Sequence, residues 1–197
     1  LLSNLIRQRA QALLNVAAGA LGKIGLTPNA LTLLGFLAMC GIGVVLAGGN
    51  LALGGLLIIA AGIFDALDGS LARLTNRVSK FGAFLDSTTD RFAEGALYFG
   101  IMHAFMQRGM TFVAYLVFLA LLGSLMVSYT RARAEGIGVE MKEGLMTRFE
   151  RIALLVIGLL LTALFGDAPI LGVLGILAVL TNLTAAQRMW LVYRATK

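Results

Sequence analysis

Five of the ten acidic residues fall on two short stretches: Asp65 and Asp68 at i, i+3, and Asp86, Asp90 and Glu94 at i, i+4, i+8. On a helix each set lies along one face. The residues between, around 75–79, read as a turn that folds the two segments back on each other, so the acidic faces can meet. Clustered carboxylate oxygens suit a hard divalent cation such as Mg²⁺ or Mn²⁺. Arg73, Arg77, Lys80 and Arg91 are the other available neutralisers, as partners in ion pairs. Small residues favour the cation: Gly69, Ala72 and Gly82 leave room beside Asp68 and Asp86 for something bulky to approach the backbone. A purely structural ion-pair network has no need of that space.

A second set of residues is basic. Ser128-Tyr129-Thr130-Arg131-Ala132-Arg133-Ala134-Glu135 is followed, after a polar stretch to Thr147, by Arg148 and Arg151. Arg131, Arg148 and Arg151 could converge on one pocket with Ser128, and guanidinium groups suit a phosphorylated alcohol. The competing reading is that these arginines anchor helix ends by snorkelling to the membrane surface.

The elements that position both sets are apolar. Hydrophobic residues make up 59% of the 197, charged residues only 13%, and mean hydropathy is +0.90. A soluble domain carries about a quarter charged residues, so the chain is read as an integral membrane protein. Six stretches approach or reach the roughly 20 residues needed to cross a bilayer: about 28–48, 51–74, 80–106, 110–134, 148–165 and 170–193. Residues 1–23, with Leu2, Leu5, Ile6, Leu13, Leu14 and Val16 among Arg7, Arg9 and Lys23, suit an amphipathic helix lying in the interface. Pro28 stands well in the first turn of the helix that follows.

The resulting expectation is an all-α membrane protein with six transmembrane helices plus an N-terminal amphipathic interfacial helix. It forms a single domain over 1–197, with the six-helix bundle at 28–193 and no soluble module or repeat. Of the 16 lysines and arginines, all but Arg108 fall on one side of such a bundle. The positive-inside rule makes that side cytoplasmic, and the acids other than Asp167 share it. Carboxylates at membrane depth are costly unless neutralised and are functional by default. A pI near 10 then reports topology and contact with anionic lipid rather than nucleic acid. The single Cys40 excludes an intrachain disulfide. A chain opening on Leu1 rather than Met is expected to lack its first residues. His103 sits at the basic-poor end of its span, and the Asn182-Leu183-Thr184 sequon falls inside one, so neither is read as functional.

Residues 65–90 read Asp65-x-x-Asp68-Gly69-x-x-Ala72-Arg73, then eight residues, then Gly82-x-x-x-Asp86-x-x-x-Asp90. This resembles the signature of the CDP-alcohol phosphotransferase family at every fixed position and spacing, and the resemblance runs over roughly residues 26–155. It implies a binuclear site of two Mg²⁺ or Mn²⁺ ions held by Asp65, Asp68 and Asp86, with Asp90 touching one ion and acting as general base. It implies a CDP-lipid site at Asn29, Thr32, Asp65, Gly69, Ala72, Arg73, Ser79 and Gly82, and a homodimer.

The Ser128–Glu135 run is similar to that of phosphatidylinositol-phosphate synthases of actinobacteria and their archaeal ether-lipid relatives. Arg131 stands where lysine is expected, and Thr147-Arg148-Phe149-Glu150-Arg151 partly follows the expected Glu-Arg-x-Glu-Arg. This implies transfer of a phosphatidyl-type group from CDP-diacylglycerol or CDP-archaeol to inositol 1-phosphate at the cytoplasmic face, releasing CMP. Ser128, Arg131, Arg148 and Arg151 would bind the acceptor's phosphate. Glycerol 3-phosphate is the alternative acceptor. An ion-coupled transporter is the rival of another class, and it requires midplane acids and inverted repeats where this chain has one-sided acids and no repeat.

Overall fold

Long apolar runs broken by Gly or Asn pairs dictate a series of helices with tight turns. The computed structural model describes residues 2–141 and 144–197. It has seven helices among the described residues: α1 (Leu2–Lys23), α2 (Pro28–Ala47), α3 (Leu51–Leu74), α4 (Lys80–Gln107), α5 (Phe112–Gly136), α6 (Arg148–Phe165) and α7 (Ala168–Ala195). No strand occurs among those residues. The six expected spans coincide with α2–α7 to within two residues at each end. Of the apolar positions expected to define α1, Leu2, Leu5, Ile6 and Leu13 lie outside the described side chains, as do Arg7 and Arg9.

The helix ends follow the local chemistry. Thr27 caps α2 by accepting from the Ala30 N–H at 3.2 Å, with Pro28 next to it as the fixed-φ first residue. At the end of α3 the Arg77 N–H reaches the Ala72 carbonyl at 2.9 Å and the Asn76 N–H the Arg73 carbonyl at 3.4 Å. This is a Schellman closure, and Asn76, at φ 51°, supplies its left-handed residue. Ser79 then caps α4, accepting from the Gly82 N–H at 3.0 Å.

The chain forms two compact units. The first comprises Leu1–Gly41 and Leu57–Glu94. Its core is Ala18, Leu31 and Leu71, with Leu21, Leu26 and Leu67 packed around them. The last turns of α1 are therefore seated on α2 and α3. Gly22 permits the approach, since a Cβ there would lie 3.1 Å from Leu71 Cδ1.

The second unit comprises Ile42–Leu56 and Gly95–Lys197. Small residues set its helix spacing, as expected for association in lipid. A Cβ on Gly100 would overlap the Gly43 carbonyl, and one on Gly123 would strike Thr181 and Asn182. Asn182, the sequon residue, donates to the Leu119 carbonyl at 2.9 Å and so ties α7 to α5. Arg108 binds three turns together. Its Nη1 donates to the two Asp167 carboxylate oxygens at 2.9 and 3.1 Å, and its Nη2 to the Gly49 carbonyl at 3.4 Å.

Four helices, α2, α3, α5 and α7, are each long and apolar enough to cross a membrane, and the protein is an integral membrane protein. By length and composition alone α4 and α6 do not join them. The reason is charge: α4 carries Lys80, Asp86, Asp90, Arg91 and Glu94, and the 18 residues of α6 include Arg148, Glu150 and Arg151.

Candidate active site: a carboxylate set and an arginine cluster

In the first unit, α3 and α4 bring three of the four signature acids together. Carboxylate oxygens of Asp65, Asp68 and Asp86, one from each, lie within 4.8 Å of one another. Asp65 is exposed and Asp68 and Asp86 are half-buried. Three hard oxygen donors at this spacing fit a divalent cation. Asp68 is oriented by Thr32 of α2, whose hydroxyl donates to Oδ2 at 2.7 Å. Thr32 was expected to meet the CDP-lipid; here it also fixes one carboxylate of the cation-fitting set.

Asp90, one turn along α4, stands outside that three-residue set. Its Oδ2 lies 3.6 Å from Arg91 Nη1, and the same guanidinium nitrogen donates to the Ser87 carbonyl at 2.6 Å. Of the other candidate neutralisers, Arg73 turns along its own helix to Ser70 Oγ at 3.3 Å.

Beside the carboxylates is a cavity of about 350 Å³. Asn29, Thr32, Asp68, Gly69, Ala72, Arg73, Ser79, Gly82 and Asp86, all singled out from the sequence, line it. Pro28, Arg77, Val78 and Ala83 complete the wall. Arg77 was weighed only as an ion-pair partner, yet it faces the same space as Arg73 and doubles its positive charge. The glycines act in different ways. A Cβ on Gly82 would lie 3.2 Å from Asn29 Oδ1 and 3.1 Å from Ser79 Oγ, so Gly82 allows the starts of α2 and α4 to approach. One on Gly69 would meet the Arg73 guanidinium, Nη1 at 3.4 Å and Nη2 at 4.0 Å, and would otherwise stand in the cavity. The first glycine sets the walls and the second keeps the space open.

The basic residues lie in the second unit. Arg151, one turn into α6, is 1% exposed and donates from Nη1 to the Met146 carbonyl at 3.3 Å. Arg148 is half-buried and stands three residues before it, on the same face. Arg131 is exposed and pairs with Glu135 at 2.8 Å. The Ser128 hydroxyl turns back to the Ser124 carbonyl at 3.4 Å. Thr147 donates to the Glu150 carboxylate, which accounts for that acid in the partly matching run.

One member escaped the sequence reading. Arg188 of α7 is 3% exposed, donates to the Val127 carbonyl at 2.6 Å, and lies near enough to Arg131 and Arg151 to feel the charge of each. The signal was available: a lone arginine inside the last apolar run. Buried charges in membrane segments mark functional sites, and Glu135, which pairs with Arg131 at 2.8 Å, is the acid whose charge also reaches Arg188. His103, in contrast, is an exposed residue stacked on Phe99 and bonded to Gln107 at 2.6 Å.

A helical membrane chain with a cation-fitting carboxylate set, an arginine-lined cavity and a buried arginine cluster has the parts of a metal-assisted phosphotransfer enzyme. The chain belongs to the CDP-alcohol phosphatidyltransferase family, whose profile its residues 25–189 match. It is a transferase of phospholipid synthesis. It is 40% identical to the archaetidylinositol phosphate synthase of Methanothermobacter thermautotrophicus over 89% of this chain and 87% of that one. It is 34% identical to the phosphatidylinositol phosphate synthase of Mycobacteroides abscessus, over 94% of this chain and 86% of that protein. Among solved structures, the Mycobacterium tuberculosis phosphatidylinositol phosphate synthase with CDP-DAG bound superposes at a TM-score of 0.86. It shares 30% identity, over 92% of this chain and 94% of that one. The same enzyme with manganese and citrate gives 0.83 at 28% identity, over 91% and 88%.

Proposed function

We propose that this chain transfers the phosphatidyl-type group of a CDP-linked lipid to inositol 1-phosphate and releases CMP. The observation that carries the reading is the meeting of Asp65, Asp68 and Asp86 beside the cavity lined by Gly69, Ala72, Arg73, Ser79 and Gly82. The whole chain acts as one catalytic domain. α2–α7 are its six spans, α1 lies in the interface, and the carboxylates face the cytoplasm of a homodimer.

Asp65, Asp68 and Asp86, with Asp90 contributing to one position, would hold two Mg²⁺ or Mn²⁺ ions, which neutralise a diphosphate and polarise its oxygens when bound. Arg73 and Arg77 bind the diphosphate, while Asn29, Ser79 and the open space at Gly69 and Ala72 hold the cytidine. Thr32 keeps Asp68 in register. Ser128, Arg131, Arg148, Arg151 and Arg188 bind the acceptor's phosphate. Asp90 takes the proton of the acceptor hydroxyl as that oxygen attacks the phosphorus bearing the lipid. The new P–O bond forms as the P–O bond to CMP breaks, and the proton leaves Asp90 for water. CDP-diacylglycerol and CDP-archaeol present the same head group to these residues.

The test is CMP release from purified protein with CDP-diacylglycerol or CDP-archaeol and a panel of acceptors. Release that depends on inositol 1-phosphate is expected, with little from unphosphorylated inositol. Release only with glycerol 3-phosphate would reassign the acceptor. No acceptor-dependent release would refute the reading.

A further inference from the structure

In the first unit one side chain reaches from α2 to the carboxylate set. Thr32 is half-buried, and its hydroxyl has two acceptors within reach. These are Asp68 Oδ2 at 2.7 Å and the Pro28 carbonyl of its own helix at 3.2 Å. A threonine hydroxyl carries one hydrogen, and the shorter, charge-assisted bond to the carboxylate takes it. The nearby carbonyl four residues back marks one of the two rotamers open to a helical threonine, so the backbone of α2 defines where Oγ1 stands. Packing fixes the distance across to α3. Leu31, beside Thr32, and Leu71, one turn beyond Asp68, meet Ala18 in the core, with Leu67, beside Asp68, packed against them. The spacing of the two helices at this level is therefore set by apolar contact and does not depend on the hydroxyl. The Gly69 N–H also bears on the Asp68 carboxylate, but it belongs to the same turn of α3. Thr32 ties that carboxylate to a second helix.

We propose that Thr32 is a positioning residue of the cation site: by fixing the orientation of the Asp68 carboxylate it sets how tightly Asp65, Asp68 and Asp86 bind a divalent ion. The proposal rests on the cation-holding role assigned to those three carboxylates. It gives Thr32 a role that is complete before any CDP-lipid binds, whereas the family resemblance places it among the CDP-lipid contacts. Removing a group that hydrogen-bonds a metal's ligand costs about 10- to 100-fold in affinity. The three oxygens lie within 4.8 Å of one another, and Asp68 turned away would leave two donors in place of three.

The experiment is Mn²⁺ binding to the purified chain with neither CDP-lipid nor acceptor present, read from the electron paramagnetic resonance signal of the free ion. Thr32→Val removes the hydroxyl and keeps the shape, and Thr32→Ser keeps the hydroxyl. Melting without Mn²⁺ checks folding, and Thr32→Ala against Thr32→Ser makes the same comparison if the valine variant does not fold. Thr75→Val is the control, since it loses a hydroxyl that donates to the Leu71 carbonyl of its own helix at 2.7 Å. Thr32→Val is expected to weaken Mn²⁺ binding about tenfold or more, while Thr32→Ser and Thr75→Val bind as the wild type does. Wild-type affinity in Thr32→Val overturns the proposal and leaves Thr32 a CDP-lipid contact alone. An equal loss in Thr32→Ser also overturns it, because packing of the side chain and not its hydroxyl would then be at work. If the wild type takes up no Mn²⁺, or Asp68→Asn binds it as tightly as the wild type, the cation reading itself falls and this proposal with it.

Discussion

The two units treat charge in opposite ways. In the first, Asp65, Asp68 and Asp86 are exposed or half-buried beside an open cavity, and like charges are held close, with the Thr32 hydroxyl steadying Asp68. In the second, Arg151 and Arg188 are almost fully buried and already donate to backbone carbonyls. Carboxylates at this spacing repel one another until a cation is supplied, so the first site is complete only with added positive charge. The arginines are held by the fold itself, Arg151 and Arg188 each by a bond to a backbone carbonyl. The difference teaches where each cluster is vulnerable. The acidic site depends on what binds it, and the basic site depends on the packing that places it.

The sharpest way to break this contrast is to remove the cation. Excess chelator is expected to take turnover to background and added Mg²⁺ or Mn²⁺ to restore it; full activity in chelator would end the metal reading. Next in size, Asp68→Asn and Asp86→Asn each remove a cation-fitting oxygen donor and should abolish CMP release. A variant keeping more than about a tenth of the rate would be incompatible with metal-ion catalysis of this kind.

Asp90→Asn separates holding from chemistry. Transfer is expected to fall by about 10² or more, the scale of a lost general base, while CDP-lipid binding, measured directly, stays largely intact. Parallel loss of both would make Asp90 a cation-holding residue only.

Across in the second unit, Arg131→Gln, Arg148→Gln and Arg151→Gln should each raise the acceptor KM roughly tenfold, as one charge-assisted hydrogen bond of about 1.5–3 kcal/mol is lost. The CDP-lipid KM should move far less. Lysine at the same positions is expected to rescue only in part, because a bidentate guanidinium contact is lost. If all three glutamine variants keep the wild-type acceptor KM, these arginines revert to membrane anchors.

The smallest effect is expected at Arg108, which belongs to neither cluster. Its bonds to Asp167 and Gly49 are partly exposed, and such pairs contribute about 1 kcal/mol or less. Arg108→Gln should lower the melting temperature by a few degrees at most, about 2–4 °C per kcal/mol for a chain of this size, with both KM values unchanged. An altered acceptor or CDP-lipid KM would link the turns that Arg108 binds to catalysis.

The helices were legible because membrane burial imposes long apolar runs and turns impose Gly, Asn and Pro. The carboxylate set was legible because it is local. Residues 65–90 form one helix–turn–helix, and helical periodicity alone puts Asp65 with Asp68 and Asp86 with Asp90. Even there, the pairing of Asp90 with Arg91 and the orienting bond from Thr32 to Asp68 depend on rotamers that spacing does not specify. Ser79 and Gly82 were expected near the nucleotide. That Ser79 caps α4, and that Gly82 spaces α4 from Asn29, required the turn geometry.

The arginine cluster was half legible for the same reason reversed. Arg131, Arg148 and Arg151 lie near helix ends within about twenty residues, close enough for sequence to suggest a common pocket. Arg188 comes 37 residues after Arg151, on another helix. Only the packing of α7 with α5 and α6, permitted at Gly123 and Gly158, brings its guanidinium to the others. Composition and periodicity thus determined a helical membrane chain, and motif spacing its clustered carboxylates, because those features follow from neighbours along the chain. The burial of Arg188 and its bond to Val127 were decided by tertiary structure, because they depend on which helix faces meet.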